Sequence, residues 1–182
     1  MGFSPILNPL KSHIMYETIF NDKEMLLLQN MLRDHKKTIT TAESCTGGLI
    51  ASMITEVSGS SDIFNGSVIT YSNDVKAQEL EVRNDTLLRY GAVSVDVVEE
   101  MLKGVIKKFN ADYAIAISGI AGPNGGTKEK PVGTVVIGII GKNLGQDIEI
   151  CKFNGTRKEV QIQAAKYSLK KILKFFQKTL DK

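Results

Sequence analysis

Three short segments of the chain carry residue types able to do covalent chemistry on a carbonyl. The first, Thr41-Ala42-Glu43-Ser44-Cys45-Thr46-Gly47-Gly48, lies between a short β-branched run and an amphipathic stretch. That placement puts Ser44 at or just before a helix N-terminus, where free backbone N–H groups and the helix dipole stabilise negative charge. A serine there could attack a carbonyl while nearby amides hold the resulting oxyanion. Gly47 and Gly48 lack a Cβ, so a ligand could approach the backbone closely. Taken alone, the segment is read more simply as a serine capping its helix.

A serine nucleophile needs a base, and neither histidine suits. His13 falls in the N-terminal tail, and His35 ends a helix beside Lys36 and Lys37. The second segment, Tyr71-Ser72-Asn73-Asp74-Val75-Lys76, offers a lysine instead. Lysine serves as a base if burial or neighbouring charge lowers its pKa. Tyr71 could then orient the hydroxyl or relay its proton. By spacing alone, an edge tyrosine and a solvated lysine remain the plainer reading. The three residues gain meaning only as a set. Cys45 is the rival nucleophile, but no histidine is placed to activate it and its position favours packing.

The third segment follows an apolar run and holds four glycines in the eight positions from Gly119 to Gly126. Such a loop can wrap its N–H groups around an anion. It has neither the Walker P-loop lysine nor the dinucleotide-binding spacing. A plain surface turn explains it equally well.

Helices and strands must position these segments. Asn21 followed by Glu24 is a capping-box signal for a helix running to about His35. Thr38 to Ala42 reads as a strand, and Leu49, Ile50, Met53, Ile54 and Val57 as one helix face. Ser67 to Ser72 is β-rich. Ser94 can cap a long helix with an apolar stripe from Val97 to Phe109. Tyr113 to Ser118 reads as a strand buried on both faces. Val132 to Ile140 and the Ile148, Ile150 alternation flank a Gly141 to Gly145 turn, which suggests a hairpin. A last helix spans about Arg157 to Leu180. The alternation predicts an α/β fold, a three-layer α/β/α sandwich with a mixed, mostly parallel sheet. Ligands in such sheets sit where strand ends meet helix starts. Residues 1–20 are read as a tail or extension, with Met15 an alternative start, and 21–182 as one domain.

Composition narrows the function classes. The chain has 182 residues, 42% of them hydrophobic and 24% charged, typical of globular domains. A net charge of +3 without interleaved aromatics argues against a nucleic-acid partner. Lys170, Lys171, Lys174, Lys178 and Lys182 read as a solvated helix face. Two isolated cysteines imply neither a disulfide framework nor a zinc site, and no metal is expected. No apolar run approaches the ~18 residues needed to span a bilayer. The N-terminus is a poor signal peptide. A cytoplasmic protein with no membrane partner is expected.

Together the segments resemble the CinA C-terminal family, whose amidohydrolase members are nicotinamide-nucleotide amidases. The resemblance is carried by TAESCTGG (41–48), GSSDIF (59–64), YSNDVK (71–76), GAVS (91–94), GIAGP (119–123), GGT (125–127) and KPVG (130–133). It spans roughly Asn21 to Leu180. It implies conversion of nicotinamide mononucleotide and water to nicotinic acid mononucleotide and ammonia, with no cofactor. Carried over by position, Ser44 is the nucleophile, Lys76 the general base and Tyr71 its partner. Oxyanion donors are expected among the N–H groups of Thr46, Gly47 and Gly48. Gly119, Ala121, Gly122, Asn124, Gly126 and Thr127 would border the nucleotide. Arg157 would contact the phosphate, or equally be a surface residue. A homodimer is also expected.

Some positions depart from the family pattern. Ser118 and Asn124 stand where threonine and aspartate are expected, Val57 where proline is common, and Ser67 replaces a small residue. The Asn124 change removes a negative charge and puts substrate preference in question. The larger family protein also carries an N-terminal domain related to molybdopterin-binding proteins, whose activity is not expected here. The competing class is a non-catalytic nucleotide-binding or competence-related regulatory module.

Overall fold

Apolar residues on both faces of the central strands dictate a sheet covered on each side. The computed structural model describes residues 16–180. Helix α1 (Asp22–Asp34) precedes strand β1 (Ile39–Glu43), helix α2 (Leu49–Thr55) and strand β2 (Phe64–Ile69). Helices α3 (Asn73–Leu80), α4 (Asn84–Tyr90) and α5 (Val95–Phe109) follow. Strands β3 (Tyr113–Gly119), β4 (Thr134–Gly141) and β5 (Gly145–Lys152) lead to the final helix α6 (Arg157–Thr179).

The sheet order is β2-β1-β3-β4-β5. β1 runs parallel to β2 and to β3, whereas β4 runs antiparallel to β3 and to β5. The sheet is therefore evenly mixed, which corrects the mostly parallel expectation. The reason lies in the connections. A parallel neighbour needs a crossover, usually a helix, and the chain between Gly119 and Thr134 forms none.

Alternate residues of β3 and β4 feed two cores. Tyr113, Ile115, Ile117, Val135, Ile137 and Ile139 join the core that includes Leu28, Ile50 and Phe176 from α1, α2 and α6. Ala114, Ala116 and Val136 face Leu80, Leu87 and Met101 from α3, α4 and α5. These two cores make the three layers. None of the described helices is long and apolar enough to cross a membrane.

Several boundaries differ from the sequence reading. Residues 1–15 lie outside the described residues, but Tyr16 and Phe20 are buried, so packing starts before Asn21. The helix or turn expected after Tyr71 is helix α3, and α4 went unread. β2 ends at Ile69, so Tyr71 and Ser72 fall beyond the strand, and the Ser72 hydroxyl accepts the Val75 N–H to cap α3.

Helix α3 carries Lys76 and rests on α5 at Gly104. A Cβ on residue 104 would overlap the backbone carbonyl of Leu80, and only glycine admits that approach. Gly104→Ala is expected to lower stability by about 1–3 kcal/mol through overpacking. Equilibrium denaturation measures this, and wild-type stability would refute the tight seam.

Candidate active site

Ser44 continues β1 by one residue, its N–H donating to the Ile117 carbonyl of β3 at 3.0 Å. The chain then turns, with the Gly47 N–H on the Ser44 carbonyl at 3.1 Å, and α2 begins at Leu49 behind Gly48. Gly48 has φ 99°, the left-handed region. Ser44 therefore caps no helix; it stands at a strand end, 8% exposed.

Helix α3 returns Lys76 to that strand end. The Lys76 side chain is only 1% exposed. Its Nζ lies 3.2 Å from Ser44 Oγ and donates to the Thr70 carbonyl at 2.6 Å. Burial pushes the Lys76 ammonium below its ordinary pKa, against a smaller opposing influence of Cys45. When the amine is neutral, the contact reverses and the Ser44 hydroxyl donates to the Nζ lone pair. A hydroxyl beside a depressed amine is an activated nucleophile.

Cys45 does not compete. Burial above all, with Glu43 nearby, pushes its thiol up to about 12, so it stays protonated.

The pair opens into a cavity of about 190 Å³. Tyr71, Arg157, Gly119 and Ala121, all candidates from the sequence, line it. Tyr71 points elsewhere than expected. It is 62% exposed, and its hydroxyl accepts from Arg157 Nη2 at 2.6 Å. Arg157 Nη1 donates to the Gly122 carbonyl at 2.7 Å, so the guanidinium straps Tyr71 to the glycine-rich loop. Asn73, Ala92, Val93 and Ser118 also line the cavity. Asn73, Ala92 and Val93 carried a signal only in the YSNDVK and GAVS words, and Ser118 was noted only as a departure from the family pattern. Ser118 donates to the Ala92 carbonyl at 2.8 Å, tying the 91–94 segment to β3.

Other expected residues are not gathered there. The Gly47 amide is used by the turn, and the Gly48 amide donates to the Glu43 carboxylate at 3.1 Å. The Thr46 hydroxyl also serves Glu43, at 2.7 Å. The backbone N–H groups of Cys45 and Thr46 donate to no backbone or carboxylate oxygen among the described residues. Asn124, Gly126 and Thr127 are exposed and do not line the cavity. Thr127 instead closes its own turn with Lys130. Among the described residues, no group of three or more His, Cys, Asp or Glu is placed to share a metal ion.

Comparison with known proteins adds an independent finding. The model of the CinA C-terminal domain family matches residues 22–176. A CinA-like protein of Prochlorococcus marinus (strain MIT 9312) is 48% identical over 164 residues, covering 87% of this chain and 39% of that protein. A CinA-like protein of Endomicrobium trichonymphae is 45% identical over 152 residues, covering 82% of this chain and 35% of that protein. The chain thus spans under two fifths of these relatives. The crystal structure of the competence/damage inducible protein CihA from Agrobacterium tumefaciens superposes with a TM-score of 0.82 at 33% identity, covering 84% of this chain and 93% of that one.

Proposed function

Because the chain belongs to the CinA C-terminal domain family, we propose that it is an amidohydrolase converting nicotinamide mononucleotide and water to nicotinic acid mononucleotide and ammonia. The observation that carries this reading is the 3.2 Å contact between Ser44 Oγ and the amine of fully buried Lys76. A binding module has no need of that pair.

The chemistry proceeds by acyl transfer. Neutral Lys76 takes the Ser44 proton as Oγ attacks the carboxamide carbon, and the carbonyl oxygen becomes an oxyanion. The amide of Cys45, which lines the cavity beside Ser44, is the donor assigned to it in this reading. The Lys76 ammonium then gives its proton to the departing nitrogen, the C–N bond breaks and ammonia leaves. Lys76, neutral again, deprotonates a water that attacks the Ser44 ester. The acyl–oxygen bond breaks, Ser44 recovers its proton from Lys76, and the acid is released. No cofactor takes part.

The cavity of about 190 Å³ is smaller than the roughly 300–1,000 Å³ of a typical ligand site. It accommodates the carboxamide-bearing ring. The ribose and phosphate extend past Tyr71 toward the exposed Arg157 guanidinium, with the 119–127 loop alongside. Arg157 is the phosphate contact in this reading.

An ammonia-release assay with nicotinamide mononucleotide, run beside nicotinamide and glutamine, tests the proposal. Ammonia and nicotinic acid mononucleotide are expected from the nucleotide alone. Tight binding without turnover would overturn the enzyme reading and favour a regulatory nucleotide-binding module.

A further inference from the structure

Glu43, one residue before the nucleophile, is a carboxylate with no exposure to solvent. Burying a charge is costly unless hydrogen bonds compensate it. Here neutral donors surround it. Oε2 accepts the Thr46 hydroxyl at 2.7 Å, the Gly48 N–H at 3.1 Å and the Ile50 N–H at 3.0 Å. Oε1 accepts the Ala51 N–H at 2.8 Å and the Thr41 hydroxyl at 3.4 Å.

Three of these donors are backbone amides of the first turn of α2 and its cap, groups a helix cannot satisfy internally. Gly48 offers them no side-chain cap. A carboxylate five residues upstream of Gly48 does that work, and the helix dipole favours its charge. The anion site at this helix start is thereby filled from within the protein, by Glu43 and not by a ligand.

The same residue reaches the base through its main chain. The Thr70 N–H donates to the Glu43 carbonyl at 2.7 Å, and the Thr70 carbonyl accepts the Lys76 amine at 2.6 Å. Side chain and carbonyl thus grip the two arms that carry the reacting atoms.

We propose that Glu43 is the positioning residue of the Ser44–Lys76 pair, its carboxylate pinning the Ser44 turn to α2 while its carbonyl seats the strand end that orients Lys76. This rests on the amidohydrolase reading above. Glutamine cannot replace it, because one end of an amide is a donor and would face the N–H groups of α2. Aspartate is one methylene short.

Two variants, Glu43→Gln and Thr46→Val, test the idea on the full chain. Each is assayed for melting temperature, for kcat and KM with nicotinamide mononucleotide, and by crystallography. For folded E43Q, kcat is expected to fall about 100-fold, the scale of an ångström misplacement, with KM little changed. The pH at which the rate rises should stay put, since Lys76 remains buried. T46V should shift kcat in the same direction by less. A purely structural cap predicts instead that activity follows the folded fraction alone. Folded E43Q with wild-type kcat overturns the proposal. If E43Q does not fold, unchanged kcat in T46V overturns it. Should the wild type release no ammonia, the amidohydrolase reading falls while Glu43 is still judged by geometry. Retention of the 3.2 Å Ser44–Lys76 contact in E43Q crystals then counts against it, and separation counts for it.

Discussion

On the amidohydrolase reading, replacing Ser44 by alanine is expected to lower ammonia release from nicotinamide mononucleotide by about 10⁴-fold or more, the range seen when a covalent nucleophile is removed. Substrate affinity survives the change. Ser44 contributes one oxygen to a cavity whose other walls, from Tyr71, Arg157, Val93 and Ala121, are untouched. The Cys45 amide also remains, so a residue of catalysis by position and oxyanion stabilisation is expected to persist. Calorimetry should record near-native binding beside the lost turnover. Activity within tenfold of wild type would move the nucleophile elsewhere.

Lys76→Met gives the second large effect, and it separates activity from stability. Methionine fills much of the lysine volume, but its thioether is too weak a base to take the Ser44 proton, so turnover is expected to be lost. Lys76→Arg also fails, because a guanidinium stays protonated. In the wild type, kcat/KM should climb as pH passes the lowered Lys76 pKa and level off before the ordinary lysine value of 10.5. A rate independent of pH across that range would exclude Lys76 as base.

Stability responds with a definite sign. The lysine is lowered in the folded protein and ordinary in the unfolded chain, so between the two values the unfolded state binds more protons. Stability therefore rises with pH through that window. Below it, the folded protein bears the whole cost of a buried ammonium. Lys76→Met removes that cost and is expected to stabilise the protein at neutral pH by about 0.5–2 kcal/mol. The gain should vanish above 10.5. A variant both inactive and less stable at neutral pH would contradict this account.

What the sequence disclosed depended on how local the relevant physics was. The Asn21–Glu24 capping box and the apolar stripe of α5 are short-range patterns, and both occur as read. Chemistry made Ser44 and Lys76 candidates and only the family resemblance paired them, because the contact between them spans thirty-two positions and depends on α3, a helix with almost no amphipathic pattern. Glu43 escaped notice because local capping rules look to the residue next to the helix. Here a side chain in the preceding strand does the capping. The same displacement explains why Ser44 was read as a cap and Gly48 as an oxyanion donor. Asn124 and Thr127 were credited to the site only through the family resemblance; they do not line the cavity, and Thr127 closes a turn with Lys130.

The contact at Gly104 reaches further than packing. It sets how far α3 can slide, and so where the Lys76 amine ends up. On the amidohydrolase reading, substitutions along the inner face of α5 are expected to register as slow enzymes well before they register as unfolded ones. In this chain the vulnerability of the chemistry extends to a seam on the far side of the helix that carries Lys76, against a helix that never meets the reacting atoms.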